Sequence, residues 1–465
     1  MPVGNRRQGG LLVFLGVFFV ACASPLPPEQ VPLLAEFADA YPEHSRRPDA
    51  TREFELVAAP ATLALLDGRP LQVWAYDGQV PGPTLRVRVG ERLRVTFTNE
   101  LPIETTVHWH GVRVPNDMDG AAGVTQAPVP PGGRFVYEFV PKDAGTFWFH
   151  PHIRSSEQVE RGLFGVLVVE DREPVPYSRD VVWVVDDWRL GRDGQIDPNF
   201  NTPHDLAHDG RWGNVVTVNG RTTEELVVRP GERLRLRLVN TANGRVFRLD
   251  WAGLDAAIIA VDGMYARAPV DPSGFELSPG NRLDLDVRIP TSGPDRWVVS
   301  DRFTRNPFPV ATIRAAGEPV TPPDFASPAA AHVPAWRESK AIEPTKVYAL
   351  NARRGGPFGL EWLLGDDGPH AHHADTLLPR GRFAKLRFTN QTYRLHPMHV
   401  HGMFFKVLAR NGLPVDEPFW RDTALVHAQE TVDVGMVPLD VGRWMLHCHV
   451  LEHQEAGMMT TVEVR

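Results

Sequence analysis

The sequence predicts an all-β protein built from three consecutive copies of one β-domain. Three observations support this class: the length of 465 residues, an internal repeat, and the 43 prolines and 40 glycines scattered between short runs rich in Val, Leu and Phe. Frequent Pro and Gly indicate many turns, which favours short strands over long helices. The length and the 42% hydrophobic content exceed the needs of a single domain, so several domains are expected.

The repeat consists of three similar stretches, GERLRVTFTN (90–99), GERLRLRLVN (231–240) and GRFAKLRFTN (381–390). Each stretch starts at Gly, alternates apolar and polar residues and ends at Asn, as expected for a half-buried strand that follows a turn. The copies are about 140 to 150 residues apart, which is the size of one β-domain. The same strand is therefore expected in three domains.

Paired histidines follow the repeat in its first and third copies, at matching distances from the final Asn or from a later Gly. The pairs are His108/His110, His150/His152, His399/His401 and His447/His449. The corresponding positions of the middle copy are Leu249 and Trp251, and its DRWVVSDR stretch (295–302) contains no histidine. The outer domains are therefore predicted to carry the chemistry, and the middle domain is not.

Strand geometry predicts where these side chains point. Residues i and i+2 of a strand lie on the same face, so each H-x-H pair aims two imidazoles at one side. If the two outer domains pack with that face shared, eight imidazoles converge, enough for about three metal ions with two or three nitrogens each. Ordinary packed histidines are the alternative, but chance would not place four pairs in repeat register, and buried unpaired imidazoles are costly.

Cys448 lies between His447 and His449, so its sulfur is expected to point away from the eight-histidine cluster. The only other cysteine is Cys22. Three further donor side chains are expected within reach of Cys448, namely His396, His453 and Met458. One thiolate, two imidazoles and a weak thioether are the ligand set of a blue-copper site, which suits one-electron transfer.

These motifs resemble those of the multicopper oxidases, the family of laccases, bacterial spore-coat and copper-efflux oxidases and bilirubin oxidase. The matching segments are HWHG (108–111), HPH (150–152), HPMHVHG (396–402), WRDT (420–423) and HCHVLEHQEAGM (447–458). The resemblance covers roughly residues 50 to 465. It implies three consecutive cupredoxin-like Greek-key β-sandwich domains, at residues 50–172, 178–315 and 340–465, the second without copper ligands.

The resemblance also implies four copper ions and their ligands. The type 1 copper would be bound by His396, Cys448, His453 and axial Met458. The type 2 copper would be bound by His108 and His399. The two type 3 ions would be bound by His110, His150 and His449, and by His152, His401 and His447. A small reducing substrate would give up one electron at a time near His453, and four electrons would reduce O2 to two waters.

Reduction of O2 also needs protons, which a carboxylate close to the cluster can supply. Asp119, nine residues after His110, lies where the family places such an acid. Many bacterial members have Glu directly after the type 1 histidine, but here the residue is Gln454, which cannot exchange a proton usefully, followed by Glu455. We predict that Asp119 and Glu455 are the catalytic acids, or that Asp119 acts alone.

The sequence leaves the electron donor open. A phenolic or aromatic donor, as for laccases, competes with Cu(I) or Fe(II), as for metallo-oxidases in copper homeostasis. The chain has only 9 methionines and no Met-rich insert, which favours organic donors. A non-catalytic cupredoxin scaffold protein and a copper nitrite reductase are further alternatives. The complete ligand set argues against the first, and the three repeat copies argue against the second.

The N-terminal residues 1–24 resemble an export signal, with Arg6 and Arg7 before an apolar run that ends in FVAC. Cys22 resembles the lipidated cysteine of bacterial lipoproteins, so the protein is expected to be periplasmic or membrane-anchored. The net charge of −8 with interspersed signs predicts no nucleic-acid partner, and we expect a monomer. The HAHH stretch is interpreted as a solvated loop, with an accessory copper-loading patch as the alternative; its histidines are His370, His372 and His373.

Overall fold

The structure of the protein is a computed structural model that describes residues 48–65, 68–330, 342–365 and 376–465, with the single residues Met1, Phe37 and Val333. The predicted signal segment 1–24 with Cys22 and the HAHH stretch lie outside the described residues. Within the described ranges, no helix has the length and apolar content needed to cross a membrane.

Residues 51–170 form two four-stranded sheets. The strands are β1 (Thr51–Leu65), β2 (Arg69–Tyr76), β3 (Thr84–Arg88), β4 (Arg92–Asn99), β5 (His108–His110), β6 (Arg134–Phe139), β7 (Gly145–His150) and β8 (Gly165–Glu170). Their order is β2-β1-β4-β6 in one sheet and β3-β8-β7-β5 in the other. A 3-10 helix (Asn116–Met118) follows β5, and helix α1 (Ser155–Glu160) follows β7. Buried apolar residues of both sheets form one core, as in a β-sandwich.

Residues 179–315 form a six-stranded and a four-stranded sheet. The strands are β9 (Arg179–Trp188), β10 (Val215–Val218), β11 (Glu224–Val228), β12 (Arg233–Asn240), β13 (Leu249–Asp250), β14 (Asp255–Val261), β15 (Met264–Val270), β16 (Arg282–Arg288), β17 (Arg296–Asp301) and β18 (Phe308–Ala315). Their order is β10-β9-β12-β16-β14-β15 and β11-β18-β17-β13. Helix α2 (Pro203–Ala207) lies in the connection between β9 and β10.

Residues 346–464 form a six-stranded and a five-stranded sheet. The strands are β19 (Lys346–Arg354), β20 (Leu360–Leu364), β21 (Thr376–Leu378), β22 (Ala384–Asn390), β23 (His396–Val400), β24 (Lys406–Arg410), β25 (Leu413–Pro414), β26 (Thr423–Val426), β27 (Thr431–Met436), β28 (Gly442–Cys448) and β29 (Met459–Val464). Their order is β20-β19-β22-β27-β24-β25 and β21-β29-β28-β23-β26. Helix α3 (Leu451–Glu455) connects β28 to β29. The predicted all-β class is confirmed.

The repeated stretches form β4, β12 and β22, which have the same neighbours in each sandwich. Each pairs in parallel with the first strand of its domain and antiparallel with a later one. The final residues Asn99, Asn240 and Asn390 play one role: each side-chain amide donates to two loop carbonyls, and each side-chain oxygen accepts from the amide two residues on. In the outer domains, Asn99 and Asn390 thereby hold the loops that lead from β4 to β5 and from β22 to β23.

The expectation of a half-buried strand is wrong for the middle copy, because every residue of β12 is buried. Its polar face consists of Arg233, Arg235 and Arg237, whose guanidinium groups form ion pairs with aspartates that include Asp284 and Asp286. Arg237 also donates to Thr146 of the first sandwich. The outward face of β12 is therefore covered by a neighbouring domain rather than by water, which an alternating pattern cannot reveal.

Candidate metal centre

Two pairs of antiparallel strands bring the histidine pairs into register. His108 of β5 lies opposite His150 of β7, and His399 of β23 lies opposite His447 of β28. The two domains then meet, because the rings of His108 and His401 stack with centroids 3.8 Å apart. The structure thus brings all eight imidazoles together at one seam between the outer domains, and every one of them is buried.

The rings form groups whose candidate ligand atoms lie within 4.8 Å of one another. Two groups contain one ring from one outer domain and two from the other; they are His110, His150 and His449, and His152, His401 and His447. These are the sets that the resemblance implied for the two type 3 ions. His108 and His399, the implied type 2 ligands, lie together in a further group with His110.

Several of these rings have one nitrogen in a hydrogen bond and the other without a hydrogen-bond partner among the described residues. The Nδ1 atoms of His108, His150 and His399 donate to main-chain oxygens at 2.7 to 2.9 Å. Their buried Nε2 atoms have no hydrogen-bond partner among the described residues. A buried orphan nitrogen is costly unless it ligates a metal, and a fixed second nitrogen is the usual partner of a metal-bound histidine.

Distances within the group of His152, His401 and His447 also fit a shared ion. The Nε2 atom of His447 lies 3.2 Å from Nε2 of His152 and 3.0 Å from Nε2 of His401. Nitrogens that each lie about 2 Å from one ion are separated by about 3 to 3.5 Å. Burial, followed by the charge of neighbouring rings, lowers the pKa of these three imidazoles well below its ordinary value. They are therefore neutral, which is the metal-binding form.

The Cys448 sulfur lies on the other side of β28, as predicted. Its Sγ is 3.6 Å from His396 Nδ1 and 3.8 Å from His453 Nδ1, and those two nitrogens are 3.2 Å apart. Met458 is buried in the same apolar core, and its main-chain oxygen accepts from the Cys448 amide at 3.0 Å. Burial raises the pKa of the Cys448 thiol, so the thiolate needs a cation beside it.

The two predicted acids occupy different surroundings. Asp119 is fully buried, and its Oδ2 accepts from Nδ1 of the cluster residue His401 at 2.8 Å. Glu455 lines a cavity of about 400 Å³ together with His152 and Gln454. Its oxygens accept from the Ser156 amide at 2.8 Å and from the Asn201 side chain at 2.7 Å. Asp119 therefore contacts the cluster directly, whereas Glu455 lines the cavity that reaches it.

Sequence reasoning missed a buried ion pair beside the cluster. Asp422 Oδ1 lies 3.2 Å from His110 Nε2, and its main-chain oxygen accepts from His399 Nδ1. Arg282 of the middle domain donates to both Asp422 oxygens, at 2.9 and 2.6 Å. Although burial alone raises the pKa of Asp422, the charge of Arg282 lowers it below its usual range. The WRDT motif contains Asp422, but no sequence signal identifies Arg282.

Comparison with known proteins agrees with this geometry. Multicopper oxidase family profiles match residues 58–174, 180–316 and 345–465. The crystal structure of a multi-copper oxidase from Pseudomonas thermotolerans superposes with a TM-score of 0.78 at 35% identity, covering 89% of this chain and 99% of that one. The chain belongs to the multicopper oxidase family. As a multicopper oxidase, it has cupredoxin domains and is a copper oxidoreductase.

Two further relatives have more distant sequences. Multicopper oxidase MmcO of Mycobacterium tuberculosis is 28% identical over 98% of this chain and 96% of that protein. Laccase-2 of Podospora anserina is 27% identical over 83% of this chain and 74% of that protein. Multicopper oxidases bind four copper ions, one of type 1, one of type 2 and two of type 3, and the buried histidine groups are compatible with this set.

Proposed function

We propose that the protein is an exported oxidase that takes single electrons from a small reducing donor near His453 and reduces O2 to water at the eight-histidine cluster. The observation that carries this proposal is the end of β28: the Cys448 sulfur faces His396 and His453, while His447 and His449 face the cluster. The bound copper ions supply the one-electron redox chemistry and the O2 site. The main chain around Cys448 links the two sites over two peptide units.

The ligand assignment follows from the groups described above. His396, Cys448 and His453 would hold the type 1 copper, with Met458 as axial ligand, and His108 and His399 would hold the type 2 copper. The Nε2 atom of His453 donates to the main-chain oxygen of His208 at 2.7 Å, which leaves Nδ1 for the metal. In the same way, Thr392 Oγ1 lies 3.0 Å from His396 Nε2. Both rings are thus oriented by residues outside the metal site.

Two donor classes fit this oxidase. Phenols are supported by the lack of a Met-rich insert and by the relative named Laccase-2. Cu(I) or Fe(II) is supported by the burial of His453, which has no exposed surface for an aromatic ring to contact. The buried imidazole nitrogens without hydrogen-bond partners argue against a non-catalytic scaffold protein. The three β-sandwich domains argue against a copper nitrite reductase.

The test is copper content and electron balance in the purified protein. We expect four copper ions per chain, a blue absorption band, and one O2 consumed for every four electrons taken from phenol, Cu(I) or Fe(II). A protein that binds one copper ion, or that releases hydrogen peroxide in place of water, would contradict the proposal. Export is checked separately, by fractionating the producing cells and by testing Cys22→Ala for loss of membrane association.

Asp119 is proposed to supply protons to the cluster through its contact with His401. Replacement by Asn keeps the size of the side chain but removes its ability to take up and release a proton, so Asp119→Asn should slow reoxidation by O2 at least about 100-fold, while reduction by the donor slows much less. Stopped-flow absorbance of the blue band follows both half-reactions. The exposed neighbour Asp117 provides the control, since Asp117→Asn should change neither rate. Equal reoxidation rates in wild type and Asp119→Asn would reject this role.

Glu455 is proposed to deliver protons from solvent to that site. It lines the cavity at His152, and burial raises the pKa of its carboxyl, which favours the protonated form. The hydrogen bonds from Ser156 and Asn201 hold the carboxyl in place. Gln454 lies closer to the cluster, with Nε2 at 3.5 Å from His152 Nε2, but its amide cannot carry a proton.

A further inference from the structure

A segment of the middle domain, residues 202–213, covers the type 1 histidine and is called the covering segment below. The main-chain oxygen of His208 accepts from His453 at 2.7 Å. The indole of Trp362 packs on the His453 ring with centroids 4.1 Å apart, and its Nε1 donates to the Leu206 oxygen at 2.9 Å. On this side of His453, a donor that approaches from solvent meets the covering segment first.

The covering segment is fixed in place at both ends. Thr202 begins helix α2 with a capping box, in which its side chain accepts from the Asp205 amide and Asp205 accepts from the Thr202 amide. At the other end, the Arg211 amide donates to Glu452 of helix α3 at 3.0 Å. Gly210 has a φ of +83°, and a Cβ there would lie 2.6 Å from Val450. These contacts therefore hold the covering segment in a defined position against the type 1 site.

The outer side of this segment presents two imidazoles that the sites described above do not use. His204 lies in α2 and His208 follows its last residue in an extended conformation, and their ring centroids lie 4.2 Å apart. The His204 side chain is 73% exposed and His208 is half-buried, so solvent reaches the pair from the His204 side. An ion about 2 Å from each of two nitrogens holds them within about 4 Å of each other, which this ring spacing permits.

We propose that His204 and His208 bind a cuprous ion as the electron donor of the oxidase; this inference rests on the proposed function. Imidazole is a suitable ligand for copper. The ion gives up one electron and leaves as Cu(II), and the electron reduces the type 1 site. The route runs through the His208 main chain and its hydrogen bond to His453. Four such oxidations supply the four electrons that, with four protons, reduce one O2 to two waters.

Binding is tested with Ag(I), a redox-inert substitute for Cu(I), titrated calorimetrically into the copper-loaded protein. The parent protein and all variants in this titration carry Ala at positions 370, 372 and 373, so that the HAHH histidines do not bind Ag(I). We expect the parent protein to bind one additional Ag(I), and His204→Ala to weaken that binding on the order of 100-fold, because one imidazole replaces a chelating pair. His427→Ala, which removes a histidine elsewhere in the chain, is the matched control and should bind Ag(I) like the parent.

The functional consequence is tested by anaerobic stopped-flow reduction of the blue band. His204→Ala should slow reduction by limiting Cu(I) by a similar factor and leave reduction by a phenol unchanged, because His453 is held by the main chain of His208. Unchanged Ag(I) affinity, or an equal loss with Cu(I) and phenol, would overturn the inference. If no donor reduces the loaded parent, the proposed function fails; the Ag(I) titration separates this case because it needs no turnover.

Discussion

Replacement of Cys448 by Ser is expected to remove the blue absorption band and all oxidation of external donors, while the eight-histidine cluster keeps its copper. The hydroxyl of Ser is a much harder ligand than a thiolate and does not support a blue-copper site. The cluster ligands on the opposite face of β28 are not altered, so the copper content should fall from four ions to three. Elemental analysis and electron paramagnetic resonance of the purified variant check this expectation.

The same variant tests whether the two metal sites are independent. Ser is smaller than Cys, and its hydroxyl can accept from the Val450 amide that donates to the Cys448 sulfur, so the fold should be retained although the position is fully buried. A variant that folds but loses all its copper would contradict the division of β28 into two faces. So would a variant that keeps the blue band. Met458→Leu is the matched comparison, because it removes only the proposed axial ligand and should retain a blue site with an altered spectrum.

Replacement of Arg282 by Met is expected to destabilise the protein by about 3 to 5 kcal/mol, because it leaves the Asp422 carboxylate buried without its cation. Arg282 is completely buried and also donates to the main-chain oxygens of Thr146, Gly280 and Asp262. Asp262 lies 3.7 Å from the same guanidinium, and burial and the charge of Asp422 raise its pKa, so the substitution leaves two neighbouring buried carboxyls without a cation. Differential scanning calorimetry of the copper-free protein gives the loss without a contribution from metal binding.

The control for this experiment lies on the same strand. Arg288 ends β16, has a side chain that is 48% exposed, and pairs with the exposed Asp255 and, at 3.5 Å, with Asp286, which keeps Arg233 as its closer partner. Arg288→Met should change the unfolding temperature little, since exposed ion pairs contribute about 0 to 1 kcal/mol. Similar losses of stability in Arg282→Met and Arg288→Met would show that the buried ion pair with Asp422 stabilises the protein no more than an exposed one.

Local sequence patterns predicted the fold class and most of the residues of the candidate metal centre. The H-x-H pairs and HCHVLEHQEAGM were visible because strand geometry relates residues two apart, and because the repeat marks equivalent positions. The Arg282 contact with Asp422 spans 140 residues and two domains, so no periodicity records it. The burial of β12 and the covering segment over His453 were missed for the same reason. Both depend on how the middle domain docks, which a pattern along one strand does not specify.

The split of the histidine groups between the two ends of the chain has a consequence for maturation. Neither the first nor the third sandwich contains all the rings of either group that we propose to bind a type 3 ion. Copper can therefore be captured there only after the two ends of the polypeptide have docked, so cofactor acquisition must come late in biogenesis. A protease that severs the chain and lets its ends separate would release these ions together, converting one cleavage into total inactivation.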